Sequence, residues 1–202
     1  MAGITLVGCR ARADHQGMGK VYEQIDDRLR DFINGQPVYF VATAPSGDDG
    51  HVNVSPKGMS GTLAVLGEHR VAYLDYFGSG AETIAHLRQN GRITLMFCAF
   101  TGPPKIVRLH GTGAAVLAGD PRFAELWPAF EGQERHAVRS IIDVEVTRVS
   151  DSCGYAVPLM DYVGDRDLLT RSHSRRDEAA LAEYAETKNR TSIDGLPALA
   201  VQ

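Results

Sequence analysis

Val38-Tyr39-Phe40-Val41-Ala42-Thr43, then Pro45-Ser46-Gly47-Asp48-Asp49-Gly50, then His51-Val52-Asn53-Val54-Ser55: the fold is decided in this stretch. The first run is β-branched and aromatic, which suits a pleated strand. The second is made of turn-forming residues. The third alternates apolar and polar, the period of a strand with one solvated face. Two strands joined by so short a connection run antiparallel.

The same texture continues outward. Thr62 to Leu66 and Arg70 to Phe77 read as strands around Gly67-Glu68-His69, Arg92 to Phe100 as a strongly apolar strand, and Lys105 to Leu117 and Arg139 to Val149 as two more. Gly111 and Gly113 lie inside the Lys105–Leu117 run, where glycine marks a bulge or bend. Helical spacing is expected over Val21–Ile33, which Gly35 and Pro37 close. It returns at Ala81–Gln89, Pro121–Phe130 and Arg175–Asn189. Consecutive hairpins without regular βαβ alternation exclude a doubly wound fold. About six strands broken by bends suggest a small closed barrel. The expected fold class is therefore mainly β with peripheral helices. The expected organisation is an N-terminal arm (1–20), a barrel domain (21–150) and a C-terminal loop-and-helix extension (151–202).

Composition bounds the function. The chain has 202 residues, 44% hydrophobic and 23% charged, the balance of a globular protein rather than a disordered or coiled-coil one. A net charge of −4 argues against a general nucleic-acid binder, and no apolar run has the ~18 residues of a membrane span. Cys9, Cys98 and Cys153 are widely separated, so no disulfide framework is expected and a reducing cytoplasm is the natural compartment. Leu6-Val7-Gly8-Cys9 imitates a lipoprotein cleavage box, but no basic residue and too short an apolar stretch precede it. The histidines show no metal-ligand spacing, and no metal is expected. Trp127 is expected to pack rather than bind.

Three segments could carry chemistry. Ser55-Pro56-Lys57-Gly58 ends a strand with a hydroxyl and an ammonium beside a glycine, where a ligand can approach the backbone. Tyr73-Leu74-Asp75-Tyr76-Phe77-Gly78-Ser79-Gly80-Ala81-Glu82-Thr83 runs from a strand through a glycine turn into a helix N-terminus, a place that favours anions. Ser79 and Glu82 also have capping-box spacing. Ser152-Cys153-Gly154-Tyr155 follows the last strand with a thiol and a phenol, and is expected to pack over a neighbouring site.

Taken together these segments resemble the pyridoxamine 5′-phosphate oxidase-like proteins, the FMN-binding split barrels, from about Val38 to Val149. Tyr73–Ser79 looks like the family's strand and turn that hold the flavin phosphate, Ile93-Thr94-Leu95-Met96-Phe97 like its apolar strand, and Lys105–Gly111 like the next one. The resemblance implies an antiparallel split β-barrel and a homodimer with FMN at the interface. It implies oxidoreductase chemistry on a small organic substrate. It assigns Lys57, Ser79 and Thr83 to the phosphate, and Ser55, Gly58, Tyr73, Leu74, Asp75 and Gly80 to the phosphate and ring edge. Cys153 and Tyr155 are the candidates near the reacting face, carried by position alone. The chain departs from the true oxidases in three places. Gly80-Ala81 stands where they carry two basic residues, Ile106 where they carry a glutamine, and the tail Ser192-Ile193-Asp194-Gly195-Leu196-Pro197 differs from their vitamin-gripping end. Pyridoxal formation is therefore not implied. Two alternatives stay open: the deazaflavin F420 as a dissociable cosubstrate, and a flavin-binding sensor without turnover.

Overall fold

The computed structural model describes residues 19–199. The arm expected over residues 1–20, except Gly19 and Lys20, and the Cys9 box lie outside the described residues.

Eight strands form one antiparallel sheet. They are β1 (Val21–Tyr22), β2 (Tyr39–Thr43), β3 (Asn53–Lys57), β4 (Leu63–Gly67), β5 (Arg70–Tyr76), β6 (Arg92–Cys98), β7 (Ile106–Leu117) and β8 (Val138–Ser152). The order is β3-β2-β6-β7-β8-β5-β4, and β1 adds to β8. The helices are α1 (Asp27–Asn34), α2 (Glu82–Asn90), α3 (Pro121–Leu126, continued by a 3-10 turn over Trp127–Phe130), α4 (Leu168–His173) and α5 (Glu178–Lys188).

The sheet curls until its two edges face each other without pairing. Lys57 Nζ on edge strand β3 lies 3.3 Å from Asp75 Oδ1 on β5, next to the opposite edge. The Tyr39 and Tyr73 rings meet edge to face at 5.9 Å across the same seam. This is a split barrel. Its interior is filled from β2, β5, β6, β7 and β8, with Val41, Tyr73, Phe97, Leu109 and Ile142 fully buried, and is covered by Leu29 and Ile33 of α1 and Ile84 of α2. β5 is buried on both faces because its other side, Ala72 and Leu74, packs on Phe123, Leu126 and Phe130. Trp127 stacks on Phe123, a packing role. Gly111 sits where the β7–β8 register shifts. A Cβ there would meet Glu145 O at 2.0 Å, so the bulge requires glycine.

The sequence expectations need four corrections. The helix expected from Val21 begins at Asp27, because Asp26 is a strong N-cap whose Oδ1 accepts the Leu29 N–H at 2.8 Å. Val21 and Tyr22 instead pair with Ser150 and Val149. The described residues form eight strands, not about six. The last strand runs on to Ser152, into what was expected to be the extension, and α4 has no counterpart in the sequence reading.

Candidate functional site

Alternation on β3 turns Asn53, Ser55 and Lys57 to one half-buried face and leaves Val54 and Pro56 exposed. The three do not form one cluster. At one end Asn53 Nδ2 donates to Thr83 Oγ1 of α2 at 3.2 Å, and Ser55 Oγ donates to Asn53 Oδ1 at 3.2 Å. Behind them Thr43 Oγ1 meets His86 Nδ1 at 3.0 Å, while the other ring nitrogen of His86 is buried without a partner. Burial lowers the His86 pKa and so favours the neutral ring.

The first turn of α2 borders this cluster. Its N-cap is Ala81, and no side chain caps it. The expected Ser79–Glu82 capping box does not form. Glu82 is the first helical residue, not the third, and its carboxylate accepts the Ile193 N–H at 3.2 Å. Ser79 is left exposed. Gly80 leaves room for Glu82, whose Oε2 would lie 2.3 Å from a Cβ at that position. Asn53 Nδ2 and Ser55 Oγ are thus paired within the cluster, while the first N–H groups of α2 have no side-chain cap, the end of a helix that suits a single anionic group.

At the other end of β3, Lys57 joins a buried ion cluster. Asp75 is 1% exposed. Its carboxylate accepts from Arg139 Nε at 2.7 Å, Arg139 Nη2 at 3.3 Å, Ser140 Oγ at 3.0 Å and Lys57 Nζ at 3.3 Å. Burial pushes the Asp75 pKa up, but Arg139, Lys57 and these hydrogen bonds outweigh it, and the net shift is downward. Tyr73 and Leu74 are buried beside it. Burial also raises the pKa of the Tyr39 and Tyr73 phenols, so both stay protonated. Tyr39 Oη, Tyr73 Oη and Arg139 Nη1 are buried with no partner. Sequence reasoning missed Arg139 and Ser140; the one signal was an arginine opening the strand expected from Arg139 to Val149.

After β8 the chain crosses the molecule as an irregular strap. Cys153 is exposed and unpaired, and Tyr155 is 77% exposed, so Tyr155 does not pack in its own chain. Gly154 has φ +65°, and a Cβ there would meet the Lys105 backbone at 2.9 Å. Glycine is therefore required for this close approach, as well as for its left-handed backbone. Leu159, Met160, Tyr162 and Val163 follow, all exposed. The strap borders a cavity of about 570 Å³, whose lining includes Tyr39 and Gly58.

The C-terminal tail braces the other end. Asn189 Nδ2 donates to Gly78 O at 2.8 Å, and Asp194 accepts from both the backbone N–H and Nδ1 of His51. Ala198 is fully buried against the barrel core. Among the described residues no group of three or more His, Cys, Asp or Glu could hold a metal ion. No described helix is long and apolar enough to cross a membrane.

The sequence matches the family description "Pyridoxamine 5′-phosphate oxidase" over residues 25–153. It is similar to the pyridoxamine 5′-phosphate oxidase family protein ustO of Aspergillus flavus, 40% identical over 192 residues that span 88% of this chain and 77% of that one. Two crystal structures of HupZ from Group A Streptococcus share the fold. Both have a TM-score of 0.52. They are 20% and 19% identical, cover 63% and 68% of this chain, and are themselves 99% covered.

Proposed function

The chain belongs to the pyridoxamine 5′-phosphate oxidase family, and on that premise we propose that it binds FMN and works as an oxidoreductase on a small organic substrate. The observation that carries the flavin reading is the Asn53–Thr83 bond beside the uncapped first turn of α2. Asn53, Ser55, Ser79 and Thr83, with the first free N–H groups of α2, would hold the phosphate. Lys57 at the far end of β3 and Gly58 just beyond it would hold the ring edge, with Tyr73, Leu74 and Asp75 forming the wall behind Lys57. The residues present suit one phosphate, since the described donors there form one group.

Bound flavin would supply the hydride or electron exchange. The chain's own part is to fix and surround it. Asp75 holds the Lys57 ammonium in place, and Arg139 keeps that carboxylate charged. The exposed apolar run at Tyr155, Leu159, Tyr162 and Val163 is surface that a second copy would cover, which supports a homodimer. Unpaired Cys98 and Cys153 suit a reducing cytoplasm.

Affinity separates the two ends of the site. The purified protein should release FMN on denaturation. Asn53→Ala should weaken FMN about tenfold to a hundredfold, the ~1.5–3 kcal/mol of a hydrogen bond to a charged group, and leave riboflavin affinity unchanged. Lys57→Ala should weaken both ligands alike. A colourless protein that also fails to bind added FMN would overturn the flavin reading. Reduction of the bound flavin by NAD(P)H, with reoxidation by an organic acceptor, tests turnover.

A further inference from the structure

We propose that the cavity between the end of α1, the Gly58–Gly61 turn and the strap is the substrate site, and that it takes a small amphipathic amine rather than a phosphorylated molecule. The placement next to the ring rests on the flavin reading; the chemistry of the cavity does not.

The volume of about 570 Å³ lies within the ~300–1,000 Å³ of small-molecule sites. Its lining is mixed, and Ile33, Leu63, Val65, Phe100 and Met160 supply the apolar part. The polar part comes from Asn34, Gln36, Ser60, Thr101 and Tyr162, with Tyr39, whose hydroxyl is buried without a partner. Among the described lining residues Asp165 carries the only charge, and no Lys, Arg or His is present. A phosphate monoester carries about −1.5 to −2 charge at neutral pH. Here it would lose water and gain no cation, and it would face a carboxylate of its own sign. An ammonium would find in Asp165 a counter-ion that has no ion-pair partner among the described residues.

The site also connects to the rest of the fold as a substrate pocket would. Gly58 is shared between the cavity lining and the end of the flavin strand, and Tyr39 pairs in register with Lys57. The strap forms one wall of the cavity through Met160, Tyr162 and Asp165. It has no regular secondary structure between β8 and α4, and two hydrogen bonds tie it down. The Met160 N–H donates to Phe100 O at 2.9 Å, and the Ser60 N–H donates to Asp165 Oδ2 at 3.1 Å.

The test uses the full-length purified protein and three probes of one shape: phenethylamine, 2-phenylethanol and phenyl phosphate. Binding is followed by ligand-observed NMR at low salt. Phenethylamine should bind about threefold to tenfold tighter than the alcohol, the modest gain of an exposed carboxylate, and phenyl phosphate weakest. Asp165→Asn keeps an acceptor for the Ser60 N–H and removes the charge, so it should erase the preference for the amine over the alcohol. Ala129→Trp, at an exposed lining position, should weaken all three while FMN affinity stays unchanged. Phenyl phosphate binding as tightly as the amine would overturn the proposal, as would an amine preference that survives Asp165→Asn. If FMN binds and none of the probes does, the cavity assignment falls alone. If the amine pattern appears in a protein that never binds FMN, the flavin reading falls alone.

Discussion

Arg139→Met isolates a buried carboxylate and makes its effect measurable. Methionine keeps an unbranched side chain of similar reach without the charge. In the native chain Asp75 is 1% exposed, and the side chain of Arg139 5%. The substitution removes the contacts at 2.7 and 3.3 Å and leaves Ser140 and Lys57. Removing one partner of a buried ion pair costs about 3–5 kcal/mol. The remaining Lys57, itself one-quarter exposed, holds the cost near about 3 kcal/mol. For a chain of this size that is about 6–12 °C in Tm, at ~2–4 °C per kcal/mol. The pH dependence identifies the cause. Native Asp75 has a lowered pKa, so its contribution is present above ~pH 4 and lost as pH falls through its folded value. Without Arg139, burial dominates and the pKa rises. The folded variant then takes up a proton the unfolded chain does not, and gains relative stability as pH falls. The penalty, measured by urea unfolding of both proteins side by side, should be larger at pH 7 than at pH 5. Asp75→Asn in the same chain should recover part of it. A penalty under about 1 kcal/mol, or one equal at both pH values, would refute the reasoning.

Two further outcomes follow from the geometry. Tyr155→Ala should leave the stability of the dissociated chain within the ~0.5 kcal/mol scatter of surface substitutions, because the side chain is 77% exposed there, and should weaken the proposed dimer, measured by sedimentation; a large loss of stability in the dissociated chain would show packing that the fold does not contain, and an effect on flavin reoxidation would place it at the site. Stability should decline as pH drops below ~6.5, since burial lowers the pKa of His86, His110 and His173 and the unfolded chain takes up protons that the folded one refuses. The slope is at most about 1.4 kcal/mol per pH unit for each histidine, and His86→Gln should flatten it in a urea series across pH 5–7.

The hairpin from Val38 to Ser55 was legible because β-branched residues and turn formers act locally. The same holds for the α2 boundary, where Gly91 takes the left-handed conformation at φ +71°. What stayed hidden was set by partners distant in sequence. Val21 falls at helical spacing with Ile25 and Leu29, but it and Tyr22 pair with Ser150 and Val149. The Ser79–Glu82 spacing suggested a cap, yet Glu82 is taken up by Ile193. Lys57, Ser79 and Thr83 looked like one phosphate grip. The fold binds Lys57 to Asp75, and Asp75 to an arginine 64 positions away. The cavity joins α1, a turn and the strap, and no short window of sequence contains it.

β8 has a consequence for how the chain is made. β1, β5 and β7 all hydrogen-bond to it, so three strands wait on one that is completed only at Ser152. At a translation rate of ~5–20 residues per second, the interval between the emergence of Tyr76 and of Ser152 is about 4–15 s. Throughout it β5, apolar on both faces, can pair with β4 alone. The nascent chain therefore offers a sticky ribbon to chaperones for seconds, and a message truncated anywhere before Val138 yields a product that cannot shut its barrel.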